Sequence, residues 1–392
     1  MDRRMNGTRD IYFDNAATTR VMPEVAALVR KIMEEDYGNP SSRHIRGMEA
    51  ENYVKHAQEQ IAKTLRVKPG EICFTSGGTE SDNMAVIGTA LRREKRGRHI
   101  ISCGIEHAAV YKPLEFLEKE GFEVTFLPVD EKGHVSTEQL AAAVRSDTIL
   151  VSIMYVNNEI GAIEPVSEIG RIVKEKNPSC YFHTDAIQAY GKLTIRPKQE
   201  HIDLLSVSGH KIHAPKGTGF IYIDEKVNIS PILFGGGQQK DLRSGTENVP
   251  GIAGLGLAAE LYYQNHTEHV KQLLEIKERL MDRLSRMEDV RINSEHGEAS
   301  APQIVSASFA GVRAEVLLHA LEEKGIYVSS GSACSSNHPA ISGTLRGIGL
   351  PKELLDSTLR FSFGLFNRPE EADICADCLE ELLPVLRKFT RR

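Results

Sequence analysis

Hydrophobic positions recur along this chain with two different periods. Through the first two thirds, short apolar runs rich in β-branched residues alternate with stretches of helical spacing. Residues 72–75, 99–103, 124–127, 148–154, 180–184, 204–207 and 219–223 predict strands. Between them, 48–65, 82–93, 110–120, 137–144 and 166–176 predict helices. Strands separated by helices of this length imply an α/β fold, with a mainly parallel central sheet covered on both faces. From 253 to 288 the pattern changes. Val270, Leu273, Leu280, Leu284 and Met287 fall at helical spacing amid dense charge, which predicts one long amphipathic helix leading into a smaller unit. That unit is expected to hold strands at 304–309, 326–329 and 359–363 and helices at 314–324 and 370–388, an α+β arrangement. The expected division is a large domain at 15–262 and a small one made of 1–14 and 263–392. Residues 329–343 fit neither period. They are rich in Ser and Gly with Cys334 inside, the kind of loop expected to be mobile and to carry a catalytic group.

Composition narrows the field. At 392 residues the chain exceeds what one core of about 250–300 residues supports. Apolar content of 41% with 26% charge is that of a folded protein, and a net charge of −6 argues against nucleic acid as the main ligand. The apolar runs are strand-sized, so no membrane span is expected. Residues 1–10 carry three Arg, two Asp and no apolar run, unlike a signal or transit peptide, so a cytoplasmic location is expected.

Six cysteines are too few for a disulfide scaffold. Cys73, Cys103 and Cys180 lie in apolar runs and read as small buried hydrophobes. Cys375 and Cys378 form a CxxC on what reads as a surface helix, with no second pair at zinc spacing, so no metal site is expected. Cys334 stands apart from these.

Three local motifs carry chemistry. Ser208-Gly209-His210-Lys211 follows a strand, and a lysine there can form a Schiff base with an aldehyde cofactor, although exposed lysines after strands are common. Asp185, in Thr184-Asp185-Ala186-Ile187-Gln188, ends another strand. It suits the pyridine nitrogen of pyridoxal phosphate, or else a plain helix cap. Thr75-Ser76-Gly77-Gly78-Thr79-Glu80 links a strand to a helix and reads equally as an anion site or a tight turn. A second lysine, Lys192, sits in Tyr190-Gly191-Lys192, a poorer context than that of Lys211. His44, His183 and His213 are read as structural.

Together these segments resemble the class V aminotransferase superfamily and, within it, the NifS/IscS-like group I cysteine desulfurases. The resemblance also runs through Tyr12-Phe13-Asp14-Asn15-Ala16-Ala17-Thr18-Thr19, Gly38-Asn39-Pro40-Ser41-Ser42, Val156-Asn157-Asn158-Glu159-Ile160-Gly161, Arg243-Ser244-Gly245-Thr246, Ser329-Ser330-Gly331-Ser332-Ala333-Cys334 and Arg360-Phe361-Ser362. It implies the fold type I, aspartate aminotransferase-like architecture of pyridoxal 5'-phosphate enzymes. The activity implied is conversion of L-cysteine to L-alanine, with sulfur held as a persulfide on Cys334 and passed to an acceptor protein, an iron–sulfur scaffold or a thiolation enzyme.

By the same resemblance Lys211 is the Schiff-base lysine and Asp185 the partner of the ring nitrogen. Gln188 and Asn158 contact the phenolic oxygen and the substrate side, and Gly78, Thr79, Ser208 and His210 hold the phosphate. Thr246 serves the phosphate of a neighbouring subunit, which implies a homodimer. His107 stacks on the ring and moves protons, and Arg360 clamps the substrate carboxylate. Two departures stand out: Gln238-Gln239 follows Gly235-Gly236-Gly237 where many housekeeping members carry His, and the chain ends before the tail with which such members dock a scaffold. An aminotransferase or selenocysteine lyase on this scaffold has no need of a persulfide-forming Cys334. A non-catalytic sulfur-carrier or scaffold protein has no need of Lys211, Asp185 and Arg360.

Overall fold

The structure, a computed structural model, describes residues 10–330 and 342–390. Seven strands form the main sheet in the order Ile72–Thr75, Gly219–Ile223, Leu204–Ser208, Tyr181–Asp185, Thr148–Ser152, His99–Cys103, Glu123–Leu127. Gly219–Ile223 runs antiparallel to both its neighbours and the other pairings are parallel. Every residue of His99–Cys103, Thr148–Ser152 and Leu204–Ser208 is buried. That is why these strands read as continuous runs, since a sheet covered on both faces has no wet side to mark with polar alternation. The carboxyl ends of all the mutually parallel strands open onto one edge, where ligands bind in open α/β sheets.

The helix after the Ile72–Thr75 strand spans Gly78–Arg93, four residues earlier than its apolar pattern predicts. Gly77, with φ of 152°, turns the chain directly from strand to helix, and the polar first turn carries no hydrophobic signal.

The predicted single helix at 253–288 is in fact two, Val249–Gln264 and His266–Leu284, broken at Asn265. The first is apolar nearly all round and lies against the helices Pro23–Glu34 and Ile45–Leu65. A Cβ on Gly256 would stand 2.6 Å from the Ala57 Cα, so glycine is what lets these two helices touch. The second packs Leu273, Ile276, Leu280 and Leu284 into a separate, smaller core with the Pro369–Thr390 helix. Each helix answers to its own core, and the break falls where the chain passes between them.

The smaller core covers an antiparallel sheet ordered Ser329–Ser330, Thr358–Ser362, Ile304–Phe309, Val290–Ile292. The predicted strand at 326–329 is split. Ile326–Tyr327 pairs in parallel with Ile11–Tyr12, while Ser329 pairs with Arg360 in the antiparallel sheet. The ring of Phe13 meets that of Phe363 edge-on at 4.9 Å, which ties the amino-terminal segment into this core. Cys375 is buried there too, so the helix bearing it presents an apolar face inward rather than being a plain surface helix. No helix among the described residues is long and apolar enough to cross a membrane.

Candidate active site

A cavity of about 370 Å³ opens at the carboxyl ends of the parallel strands. Gly78, Thr79, His107, Asn158, Asp185, Gln188, Ser208, His210, Lys211 and Arg360, ten residues from six separate stretches of sequence, all line it. Thr246 is exposed and does not line it. Cys334 lies outside the described residues. Its flanks are placed: Ser329–Ser330 pairs beside Arg360, and the Ser342 hydroxyl donates to Glu159, next to Asn158 (2.5 Å). Of the described cysteines none lines the cavity; Cys73, Cys103, Cys180 and Cys375 are buried, and burial holds each of their thiols well above the usual range.

Asp185 and Lys211 come from adjacent strands. Asp185 is the last residue of Tyr181–Asp185 and pairs in register with Ser206 of Leu204–Ser208. Its carboxylate is buried and accepts the Ile187 N–H at 2.9 Å. Burial pushes the Asp185 carboxyl up, opposed by His107, the Ile187 N–H and Lys211. Lys211 ends a tight turn after the second strand, and its Nζ donates to the carbonyls of Ala16 (2.5 Å) and Ala17 (2.7 Å). Gln188 Nε2 donates to the same Ala16 carbonyl at 3.0 Å. The carbonyls of this Asn15-Ala16-Ala17 stretch are functional groups that sequence reasoning misses, since backbone acceptors carry no residue signature.

The two candidate lysines occupy different places. Lys192 is buried outside the cavity and its Nζ donates to the carbonyl of Lys211 at 2.6 Å. Burial lowers the Lys192 ammonium to about 7, so it supports the turn beneath Lys211 from a dry position.

Two imidazoles are oriented by their hydrogen bonds. His107 caps the helix Ala108–Lys119 by accepting the Ala109 N–H at Nδ1 (3.1 Å), which assigns any ring proton of the neutral form to Nε2. His210 Nδ1 lies 3.2 Å from the Thr18 hydroxyl, and burial beside Lys211 lowers it to about 4, so it is neutral near pH 7. Gly78 begins a helix whose first two residues line the cavity. A Cβ there would sit 2.1 Å from Ile187 Cδ1, so any larger residue would have to displace the Ile187 side chain in the segment after Asp185.

Arg360 lies on the strand Thr358–Ser362, almost fully buried. Nη1 donates to the Asn158 carbonyl (2.8 Å) and Nη2 to Asp14 (3.0 Å), while Nε is buried without a hydrogen-bond partner among the described residues. A buried guanidinium with an unmatched N–H has capacity left for an anion.

Beneath the cavity lie acids that sequence reading passes over. Glu106 accepts from the Met154 N–H (2.7 Å) and the Cys103 thiol (3.1 Å), and burial pushes it up to about 8. Asp82 is fully buried and raised further by Asp185 nearby. His183, lowered by burial to about 3, bridges the hydroxyls of Ser152 (2.8 Å) and Ser206 (3.0 Å), and keeps the structural part expected of it.

Residues 11–374 match the aminotransferase class-V family. The cysteine desulfurase IscS of Dictyoglomus turgidum is 43% identical over 383 residues, covering 97% of this chain and 96% of its own length. A solved NifS-like protein superposes with a TM-score of 0.91 at 39% identity, over 96% of this chain and 100% of that one. SspA, solved in complex with cysteine, superposes with a TM-score of 0.79 at 34% identity, over 90% of this chain and 98% of its own. Family match and fold agree along nearly the whole length, and the chain therefore belongs to the aminotransferase class-V family, in its NifS/IscS-like cysteine desulfurase group.

Proposed function

We propose that this desulfurase holds pyridoxal 5'-phosphate between Lys211 and Asp185 and moves sulfur from L-cysteine onto Cys334. The observation that carries the reading is the convergence of the Lys211 amine and the buried Asp185 carboxylate, from adjacent strands, on one cavity with Arg360. The residues fit the group. A carboxylate pushed up by burial calls for a cationic partner, which a protonated ring nitrogen supplies. The N-terminus of the Gly78–Arg93 helix, with Thr79, Ser208 and His210, suits a phosphate. Bound there, pyridoxal phosphate supplies the electron sink that makes the substrate α-carbon acidic.

The chain's own residues do the rest. Arg360 takes the substrate carboxylate on its unmatched Nε edge, beside Asn158. Lys211 Nζ moves the α-proton, Gln188 holds the phenolic oxygen, and His107 relays protons through Nε2. The Cys334 thiolate then attacks the substrate sulfur. A sulfur–sulfur bond forms, the carbon–sulfur bond breaks, and the electron pair left on carbon is protonated to give alanine. The persulfide passes to an acceptor protein in the cytoplasm, an iron–sulfur scaffold or a thiolation enzyme. A cysteine-bound relative supports the substrate assignment.

The separate cores and the break at Asn265 support a cofactor domain at 15–262 and a smaller domain of 1–14 and 263–392. Thr246, exposed and away from its own cavity, serves the site of a second copy in a homodimer. Met33, Tyr37, Ile45 and Met48, exposed around the turn between the first two helices, and Phe234, at 80% exposure, support such an apolar contact. A stable, cofactor-loaded and active monomer in sedimentation at micromolar concentration would overturn it.

Cys334→Ser tests the sulfur step. The variant is expected to fold, dimerise and keep the yellow colour of the cofactor while losing alanine formation from cysteine. Mass spectrometry should find the persulfide on the Cys334 peptide of the unaltered enzyme alone. Undiminished alanine production by the variant would sink the assignment and bring the aminotransferase or lyase reading forward.

A further inference from the structure

Residues 238–246 contain a stretch of backbone that needs to be held. Gln239, Lys240 and Asp241 have φ of 48°, 61° and 63°, three left-handed residues in succession, none of them glycine. Side chains disfavour that region, and such a run persists only where its surroundings fix it. Two contacts do so. The side-chain amide of Gln239 accepts the Phe74 N–H (2.6 Å) and donates to the Phe74 carbonyl (2.8 Å), pairing with Ile72–Thr75 as a strand would. Ile72–Thr75 is an edge strand of the seven-stranded sheet, so the amide also covers an otherwise open rim. Four residues on, Arg243 grips Glu80 with both arms of its fork (2.7 and 3.2 Å), and the same carboxylate accepts the Ser76 N–H at 2.7 Å.

These contacts join two segments with different addresses. Phe74, Ser76 and Glu80 frame the turn that leads into Gly78 and Thr79, at the chain's own cavity. Gln239 and Arg243 frame the approach to Thr246, and Gln238 Oε1 accepts the Gly245 N–H (2.9 Å). None of Gln239, Arg243 and Glu80 lines the cavity. We propose that Glu80, Arg243 and Gln239 are positioning residues that form one clasp serving two phosphate sites, fixing the phosphate turn of their own subunit and presenting Thr246 to that of the partner. This rests on the reading that Thr246 acts across the dimer. It assigns a purpose to Gln239, whose place after the glycines the family pattern leaves open.

Dimers assembled from two differently tagged subunits separate the effects. In each, one subunit carries Lys211→Ala, so borohydride fixes pyridoxal phosphate at one site only. The readout is the cofactor concentration that half-saturates labelling of the remaining Lys211 peptide, by mass spectrometry. Arg243→Ala is placed either in the subunit that owns the labelled site or in the other one, with Thr246→Ala in the other subunit as a reference. Half-saturation is expected to rise about tenfold in both placements, as loss of a bidentate charged contact implies. Arg243→Lys, which keeps the charge without the fork, and Gln239→Ala should give smaller rises in both, and they stand in if Arg243→Ala does not fold. An effect confined to the subunit that owns the site, with Thr246→Ala effective from across, would overturn the clasp alone. A silent Thr246→Ala in the other subunit would instead overturn the shared-site reading, and the two-site clasp with it.

Discussion

On the outer face of the smaller core Arg279 reaches Asp373 at 2.7 Å, and Arg283 reaches Asp377 (2.6 Å) and Glu380 (2.9 Å), all in contact with solvent. At the carboxyl ends of the large sheet, Asp82, Glu106 and Asp185 are buried within reach of one another's charge, with His183 neutral among them. Both regions are rich in ionisable groups, and water separates their behaviour. In the first, high dielectric and flexible side chains leave each pair worth little. In the second, desolvation decides the charge state of every group, and only Asp185 meets cations, Lys211 among them. Burial, rather than the number of charges gathered in one place, is what moves an ionisable group of this protein from its ordinary state.

The sharpest way to break that contrast is at Lys211, a cation that faces Asp185 in the cavity. Lys211→Ala should cut alanine production by about 10³-fold or more while leaving a folded dimer, since it removes the group to which the proposed mechanism gives the α-proton. Activity near that of the unaltered enzyme would transfer the role to another lysine.

Asp185→Asn keeps the shape of the side chain and its bond to the Ile187 N–H while removing the charge. A loss of about 10²-fold in turnover is expected, with weaker retention of pyridoxal phosphate on dialysis. If the asparagine variant matched the unaltered enzyme in both, the buried carboxylate would be no more than a cap.

Glu106 tests the buried region through pH. Its folded value, about 8, lies above the ordinary carboxylate range, so the protonated form belongs to the folded state. The stability this contributes is complete below about pH 4 and is lost as pH rises through 8, an effect on the order of 4 kcal/mol by the top of that window. Glu106→Gln should therefore flatten the decline in urea midpoint between pH 6 and 9. Glu164, pushed to about 7 by burial, leaves a residual slope. An unchanged decline would show that Glu106 is not the titrating group.

Arg283→Ala should do least. Despite three carboxylate neighbours, the expected change in unfolding free energy is about 0.5 kcal/mol, shrinking further in 1 M salt. A loss above about 2 kcal/mol would place the helix-face network in the same class as the buried acids.

The strands of the large sheet, the helices between them and the turn motifs at strand ends are legible in local sequence, because these depend on neighbours within a few residues. Lys211 and Asp185 were legible for that reason, each having a strand before it and a recognisable turn after it. What those residues meet is set by segments distant in the chain. That Ala16 and Ala17 supply the carbonyls Lys211 bonds follows from contacts about 195 residues apart, and that Lys192 turns its amine to the Lys211 carbonyl follows from how two turns pack. The break at Asn265 was invisible because both helices keep an apolar face and only the identity of the core changes. Glu106 carries no signal in its own segment and Gln239 has no assigned role there, yet one is a buried acid pushed up to about 8 and the other pairs with a sheet edge. Periodicity and turn chemistry are properties of a short segment, whereas desolvation and cross-chain hydrogen bonding exist only once distant segments have excluded water from between them.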